Sequence, residues 1–215
     1  LLVGLEGLAS DGHAFAAAAV NQGAVALVVQ HPVEAAATQV LVRDPREAMA
    51  RLAAAFHGNP SRALRLVGVT GTNGKTTVTH ILRGLAEEAG EAAEVMGTLG
   101  SSSAGTYRPT GFTTPEAPEL QRSLREAVDR GVRWIAMEVS SHALAQKRVF
   151  GTDFAAVIFT NLTRDHLDYH GDMRAYLEAK ALLFDRAGRG SEGEAVAVIN
   201  FEDAAGRELA RRATG

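Results

Sequence analysis

Apolar and polar residues alternate in blocks along the chain, and these blocks predict strands that alternate with helices. Short apolar runs that end in glycine or turn residues occur at residues 1–5, 24–29, 40–42, 64–69, 134–139, 155–160 and 195–199. Stretches rich in helix-forming residues occur at residues 14–22, 46–56, 76–89, 116–130 and 173–184. This order is typical of an α/β protein with a mainly parallel sheet flanked by helices.

A run of turn residues, His-Gly-Asn-Pro-Ser at 57–61, interrupts the alternation. We therefore predict a domain boundary there, with a small α/β domain at residues 1–60 and a larger one at residues 61–215. The small residues at 101–105 predict a mobile surface loop. Because the chain opens at Leu1 inside an apolar run and without an initiator Met, we expect it to be a fragment.

Composition narrows the classes of protein to consider. The chain has 215 residues, of which 46% are hydrophobic, so it can build a real core. Its net charge of −3 argues against a protein that binds nucleic acid by neutralising phosphates. The absence of cysteine excludes disulfides and thiolate chemistry. No apolar run is long enough to span a bilayer, so we expect a soluble, cytoplasmic protein without a nucleic-acid or membrane partner.

The strongest motif is Gly-Thr-Asn-Gly-Lys-Thr-Thr at residues 71–77, which lies between a predicted strand and a predicted helix. This is the setting of a phosphate-binding loop, in which backbone N–H groups surround phosphate oxygens. Lys75 would reach the outer phosphates and Thr76 would bind magnesium. Val69 stands where the general pattern has glycine, which points to a sub-family. The candidate nucleotide-binding residues are Gly71, Thr72, Asn73, Gly74, Lys75, Thr76 and Thr77.

Two further segments follow predicted strands. Glu138 ends the strand at 134–139, and a run of potential metal and phosphate ligands at 160–171 follows the next strand. Ligands of α/β proteins bind at the carboxyl ends of the strands, so we expect Glu138 to lie near Thr76 in a magnesium site. Lys180 lies in the following helix, and by residue type alone it would be an ordinary solvated lysine.

Together these segments resemble the Mur ligases, and most of all the branch of UDP-N-acetylmuramyl-tripeptide synthetases that adds the third amino acid of the peptidoglycan stem. The resemblance covers essentially the whole chain. Its motifs are the phosphate loop, Met-Gly-Thr at 96–98, Thr-Thr-Pro at 113–115, Met-Glu-Val-Ser-Ser-His at 137–142 and the segment 161–171, which ends in Arg-Asp-His-Leu-Asp-Tyr-His-Gly. The last segment is the most specific of these matches.

The resemblance implies a role for particular residues. Lys75, His166 and Lys180 would be catalytic, with ATP and Mg²⁺ as the cofactors. Thr76, Glu138 and His166 would serve magnesium, and Lys180 would be carbamylated by carbon dioxide to give oxygen ligands for a second ion. Residues 1–60 would be the later part of the UDP-muramyl-peptide-binding domain, 61–215 the central ATP-binding domain, and the C-terminal domain would be absent. The implied substrate-binding residues are Thr113, Thr114, Ser140, Gln146, Arg148 and the loop residues Leu8, Ala9 and Ser10.

The resemblance also implies the reaction. A substrate carboxylate attacks ATP to give an acyl phosphate, and the amine of meso-diaminopimelate, lysine or ornithine then forms an amide bond. The partners would be UDP-N-acetylmuramoyl-L-alanyl-D-glutamate and that amino acid, and the process would be peptidoglycan precursor synthesis, with its links to cell shape and cell division. We expect the fragment itself to be inactive.

Three alternatives remain open at this point. The chain could come from another Mur ligase or from a folylpolyglutamate synthetase. It could also be a nucleotide-binding module without ligase activity. A phosphate-loop GTPase would need an Asn-Lys-x-Asp motif for the base, and the sequence contains none.

Overall fold

The computed structural model describes residues 1–7, 10–103, 106–108, 112–186 and 195–213, which form two sheets. The small sheet consists of β1 (Leu2–Val3), β2 (Ala26–Val29) and β3 (Thr38–Leu41), which are parallel and adjacent in that order. A short helix, α1 (Ala16–Asn21), contributes Ala16 to its apolar core.

A longer helix, α2 (Pro45–Phe56), follows the small sheet. It begins at an aspartate cap, because Asp44 Oδ1 accepts the backbone N–H of Glu47 at 2.9 Å. Pro45 occupies the first helical position, where its missing N–H costs nothing. The chain then passes through a short 3₁₀ turn, Pro60–Ala63, into the large sheet.

The large sheet has seven strands in the order β10-β9-β4-β8-β5-β6-β7. The strands from β10 to β5 are parallel, whereas β6 and β7 pair antiparallel at one edge. This confirms the predicted α/β fold with a mainly parallel sheet. The strands are β4 (Arg65–Thr70), β5 (Ala93–Gly97), β6 (Gly100–Ser103), β7 (Thr106–Arg108), β8 (Trp134–Glu138), β9 (Ala156–Phe159) and β10 (Val196–Ile199).

Helices cover both faces of the large sheet. The helices are α3 (Lys75–Glu88), α4 (Ala117–Asp129), α5 (Ser141–Ala145), α6 (Leu167–His170), α7 (Met173–Ala181) and α8 (Ala204–Ala213). Leu120 and Leu124 of α4 pack on Ile135 of β8 in the main core. Ala136, the next residue of β8, faces Leu82 of α3, since side chains alternate along a strand. Among the described residues, no helix combines the length and apolar character needed to cross a bilayer.

The edge of the large sheet differs from the sequence prediction. Residues 101–103 lie in β6, so the loop predicted at 101–105 is wrong for these three residues, and 104 and 105 lie outside the described residues. Small polar residues have low strand propensity, but pairing with β5 determines the local structure here. The prediction also omitted β5 itself, whose five residues mix apolar and charged types.

Candidate functional site

The phosphate loop connects β4 to α3 at the carboxyl edge of the large sheet. Both of its glycines have backbone conformations that other residues avoid, with φ of 145° at Gly71 and 86° at Gly74. A Cβ atom on Gly71 would also lie 1.9 Å from Thr160 Oγ1. Glycine is therefore required at Gly71 on two grounds, and the tight turn depends on it.

The end of β9 holds the loop in place. Thr160 Oγ1 donates to Asn73 O at 2.6 Å, and the backbone N–H of Asn73 donates to Asn161 Oδ1 at 3.0 Å. No side chain caps the first turn of α3. Its N–H groups and the positive end of the helix dipole thus face outward, which suits a phosphate group.

Lys75 lies in the first turn of α3 and folds back over the loop. Its Nζ donates to Gly71 O at 3.0 Å and to Thr72 O at 2.9 Å. Partial burial lowers the pKa of Lys75, and the negative charges of Glu138 and Asp165 offset part of that shift. The amine is therefore held at the mouth of the loop by neutral carbonyls.

Glu138, at the end of β8, is 1% exposed and fully engaged. Its Oε1 accepts Thr76 Oγ1 at 3.0 Å and the backbone N–H of Thr98 at 2.9 Å, while Oε2 accepts Thr98 Oγ1 at 3.2 Å. A Cβ atom on Gly97 would lie 2.2 Å from Oε1. The predicted proximity of Glu138 and Thr76 is confirmed, and both supply oxygen donors of the kind that Mg²⁺ prefers.

Lys180, on α7, is 1% exposed, so the expectation of a solvated lysine by residue type is wrong. Its Nζ donates to Gly71 O at 2.9 Å and lies 4.4 Å from the ring centroid of Tyr176. Burial and the nearby positive charge of Lys75 lower the pKa of Lys180 to about 7. A substantial share of this amine is consequently neutral near pH 7.

Aromatic and histidine rings pack beside Lys180. His142 lies 4.9 Å from His166 and 4.2 Å from Tyr169, and His170 lies 5.1 Å from Tyr176, measured between ring centroids. Burial lowers the pKa of His142 and of His170. The side chain of His166 is 47% exposed at the rim of this cluster, and its backbone has a φ of 52°. The predicted metal- and phosphate-ligand segment at 160–171 therefore contributes to a cluster of packed rings next to the phosphate loop.

Three of the predicted substrate-binding residues adjoin Glu138. Thr113 Oγ1 lies 3.1 Å from Thr98 Oγ1, which links it to the carboxylate. Thr114 Oγ1 donates to Glu138 O at 2.9 Å and accepts the N–H of Ser140 at 3.1 Å. Ser140 Oγ caps α5 by accepting the N–H of Ala143, so the hydroxyls of Thr114 and Ser140 have local structural partners.

Two more of the predicted substrate-binding residues, Gln146 and Arg148, contact each other after α5. Arg148 is 9% exposed, and its Nε and Nη2 donate to Gln146 Oε1 at 3.0 Å and 2.6 Å. Its Nη1 donates to Thr114 O at 3.0 Å, and its Nε lies 2.9 Å from Glu116 Oε1. Arg148 thereby ties the segment after α5 to the segment before α4.

A model of the Mur ligase middle domain matches residues 69–215. The chain belongs to the Mur ligase family. It is 48% identical over 201 residues to UDP-N-acetylmuramoyl-L-alanyl-D-glutamate--2,6-diaminopimelate ligase of Geobacillus thermodenitrificans, covering 93% of this chain and 41% of that protein. The ligase of the same name from Geobacter sulfurreducens is 45% identical and covers 99% of this chain and 43% of the relative. This chain thus spans about two fifths of the length of these relatives.

Solved structures agree with the family. A structure of a UDP-N-acetylmuramoyl-L-alanyl-D-glutamate–2,6-diaminopimelate ligase superposes with a TM-score of 0.80 at 34% identity, covering 94% of this chain and 40% of that one. Folylpolyglutamate synthase of Mycobacterium tuberculosis, complexed with ADP, gives a TM-score of 0.62 at 17% identity over 80% of this chain and 44% of its own. The second likeness shows a shared fold alone.

The remaining three predicted substrate-binding residues precede α1 in the sequence. Leu8 and Ala9 lie outside the described residues, and Ser10 is exposed on the loop before α1. Asp11, His13 and His31 lie close enough together to suggest a metal site. However, His13 Nε2 accepts the N–H of Gln30 at 3.0 Å and its Nδ1 lies 2.6 Å from Asp11 Oδ1. Both ring nitrogens are in use, so this cluster is structural.

Sequence reasoning missed the roles of two residues of the site. Thr98 holds both oxygens of Glu138, although it lay within a segment that already indicated the family. Tyr176 contacts Lys180 through its ring, and its hydroxyl lies 3.3 Å from Thr72 Oγ1. The spacing of Tyr176 and Lys180, four residues apart on one helix, was the signal that could have paired them.

Proposed function

We propose that the complete gene product carrying this chain is an ATP-dependent ligase. It joins an amino acid to UDP-N-acetylmuramoyl-L-alanyl-D-glutamate through an acyl phosphate, in the cytoplasm, during peptidoglycan precursor synthesis. The observation that carries the proposal is the meeting of Lys75, Glu138 and the buried Lys180 at one sheet edge. The names of the relatives support the choice of the muramyl substrate.

Residues 71–77 are assigned to the phosphates of ATP. The open first turn of α3 supplies N–H donors and Lys75 supplies a positive charge within reach of the loop. In the transfer, charge spreads over the oxygens of the γ-phosphoryl group, and an amine held at the loop mouth stabilises that charge. The loop residues therefore bind and orient the nucleotide, while the substrate carboxylate is the nucleophile.

The residues present fit a magnesium ion. Glu138 and Thr76 provide a carboxylate and a hydroxyl that already lie 3.0 Å apart. The resemblance to the family adds His166 as a further residue that would serve the ion. When bound, Mg²⁺ would neutralise phosphate charge during the transfer. Thr98 keeps the Glu138 carboxylate in one orientation through two hydrogen bonds.

Lys180 is assigned as the lysine that reacts with carbon dioxide. Its Nζ lone pair forms a bond to the carbon atom while the electrons of one C=O π bond move to oxygen, and the nitrogen then loses a proton to solvent, which leaves an anionic carbamate. The reaction needs a neutral amine, and the pKa of Lys180, lowered to about 7 by burial, provides one. The product offers two oxygens where the unmodified ammonium would repel a metal ion.

The muramyl substrate is assigned to both sheets. Residues 1–60, with Leu8, Ala9 and Ser10, would bind its UDP end, and residues 61–215 would bind its peptide end. Thr113, Thr114, Ser140, Gln146 and Arg148 form one connected group beside Glu138, which supports a shared role. For the incoming amino acid we propose 2,6-diaminopimelate, because the relatives carry it in their names.

Phosphate release by the complete gene product tests the proposal. The assay would contain ATP, Mg²⁺ and UDP-N-acetylmuramoyl-L-alanyl-D-glutamate, with diaminopimelate, lysine or ornithine added one at a time. We expect release that depends on the muramyl substrate and on diaminopimelate, together with a tripeptide product seen by mass spectrometry. Release with lysine or ornithine alone would correct the amino acid. Activity with folate and glutamate in place of these substrates would overturn the proposal.

A further inference from the structure

The turn that follows α5 has an unusual residue at its centre. The N–H of Arg148 donates to Ala143 O at 2.9 Å, and the N–H of Lys147 donates to Leu144 O at 3.1 Å. This pair of bonds is a Schellman motif, which places Lys147 in the left-handed region with a φ of 56°. Glycine is the preferred residue there, because a Cβ atom is disfavoured in that conformation. A lysine at this position suggests that contacts of its side chain compensate for the unfavourable backbone conformation.

The side chain of Lys147 crosses to α2. Its Nζ lies 2.5 Å from Asp44 Oδ2 and 3.1 Å from Glu47 Oε2. Asp44 thus has two functions, since its other oxygen caps α2. The hydrogen bond from Lys147 offsets the effect of burial and lowers the pKa of Asp44, and the same bond raises the pKa of Lys147.

Close packing accompanies this ion pair. A Cβ atom on Gly151 would lie 2.7 Å from Ala50 O, so α2 rests directly on the backbone after the turn. The guanidinium of Arg51 lies 5.1 Å from the ring of Phe150, and Lys147 Nζ lies 5.5 Å from the same ring. The start and the middle of α2 therefore both contact the short segment from Lys147 to Gly151.

That segment is also where the peptide end of the substrate is assigned. Lys147 stands between Gln146 and Arg148, and Arg148 reaches Thr114 beside the Glu138 backbone. Movement of α2 relative to this turn would change the distance between the small sheet and the carboxyl edge of the large sheet. A substrate that spans both sheets needs that distance to be fixed before it binds.

We propose that Lys147 is a positioning residue. It fastens α2 to the turn that carries Gln146 and Arg148, and so holds the two sheets at the separation that the UDP-muramyl peptide requires. The role rests on the proposed function, because Gln146 and Arg148 are assigned to that substrate. It is separate from ATP binding, since the phosphate loop lies on other elements.

The experiment uses variants of the complete gene product that change charge without disturbing the backbone. Lys147→Gly removes the amine and keeps a residue suited to positive φ. Asp44→Asn with Glu47→Gln removes both carboxylate charges and keeps an oxygen that can cap α2. Lys147→Arg keeps the charge. Asp129→Asn breaks an exposed pair with Arg125 on α4 and serves as the distant control.

We expect Lys147→Gly and the Asp44→Asn/Glu47→Gln variant each to raise the KM and the Kd for the UDP-muramyl dipeptide about two- to fivefold. The KM for ATP and kcat should stay at wild-type values, and Lys147→Arg should recover most of the affinity. Combining the two neutral variants should add no further loss, because each removes the same interaction. The distant control should behave as wild type.

The outcomes separate this inference from the proposed function. If the wild-type protein binds no UDP-muramyl dipeptide in calorimetry, the proposed function fails and the positioning role fails with it. If the wild type binds normally and Lys147→Gly binds equally well, the positioning role alone is overturned. Independent, additive losses from the two neutral variants would likewise overturn it, since they would show that the groups do not act through each other.

Discussion

The carboxyl edge of the large sheet and the junction with α2 each depend on a lysine, and the two lysines are held in opposite ways. Lys180 is 1% exposed and donates to the neutral carbonyl of Gly71. Lys147 is partly exposed and lies between two carboxylates. Burial lowers the pKa of Lys180 to about 7, whereas the hydrogen bond to Asp44 raises the pKa of Lys147.

The difference shows that the balance between burial and nearby carboxylates sets the pKa of a lysine. Where burial outweighs nearby negative charge, the amine loses its proton readily and can react. Where nearby carboxylates outweigh the effect of burial, the amine stays charged and can form stable ion pairs. We therefore propose that the same residue type supports chemistry in one region and positioning in the other.

The largest effect is expected from Lys75→Ala, which removes the positive charge at the edge of the large sheet. In the complete gene product, kcat/KM should fall about a thousandfold, because that charge stabilises the transferring phosphoryl group. Circular dichroism should show an intact fold, since the Lys75 amine contacts only loop carbonyls in the contacts that the structure describes. Near-wild-type turnover would contradict the phosphate-loop assignment.

Lys180→Ala tests whether the buried lysine acts through a carbamate. We expect activity to fall about a hundredfold or more at saturating magnesium. Short carboxylic acids such as acetate should restore part of it by supplying the lost oxygens, whereas bicarbonate should not. Lys147→Ala is the matched control, and its activity should not respond to acetate. Wild-type activity of Lys180→Ala would return this residue to a structural role.

Thr98→Val should have a smaller effect on the same edge. It removes the hydroxyl that donates to Glu138 Oε2 and keeps the backbone N–H that donates to Oε1. We expect magnesium to bind more weakly, so that the magnesium concentration for half-maximal rate rises about tenfold. Thr98→Ser keeps the hydroxyl and should stay within about twofold of wild type. Equal values for the two variants would show that Thr98 does not orient Glu138.

The pH dependence of stability should distinguish the two lysines. The folded-state pKa of Lys180 lies below its ordinary value of 10.5, so the unfolded chain binds more protons between about pH 7 and pH 10.5. Stability should rise with pH across that window in carbon-dioxide-free buffer, by on the order of 1–3 kcal/mol relative to Lys180→Met. Thermal unfolding of the two proteins at several pH values measures the difference, and parallel curves would contradict the shift.

Lys147→Met should give the smallest effect and the opposite sign. Its folded-state pKa is raised, so its contribution is fully present below about pH 10.5 and is lost as the pH rises through the folded value. The groups are partly exposed, so we expect at most about 1 kcal/mol, and less at high salt. A contribution from Lys147 that grew above pH 10.5 would show that the carboxylates do not hold it.

Much of the carboxyl edge of the large sheet could be predicted because its signals are local. A strand, a glycine-rich turn and a helix in succession specify the phosphate loop, and strand order places Glu138 at the same edge. The hydrogen bond between Thr76 and Glu138 confirms that placement. Local patterns of this kind need no knowledge of distant contacts.

Two of the features that escaped prediction depend on distant contacts. The burial of Lys180 results from α7 packing under the phosphate loop, 109 residues earlier in the chain. The ion pairs of Lys147 with Asp44 and Glu47 join residues that lie 103 and 100 positions apart in the chain. None of these separations leaves a periodic or compositional signal in the sequence.

The short path from Glu138 through Thr98 to Thr113 fixes the direction of two hydroxyl hydrogens. A carboxylate can only accept, so the single hydrogen of Thr98 Oγ1 is committed to Oε2. Thr113 must then supply the hydrogen of the 3.1 Å contact between the two hydroxyls. Its oxygen is left with lone pairs alone, so the group of a ligand that meets Thr113 in this arrangement has to be an N–H or an O–H.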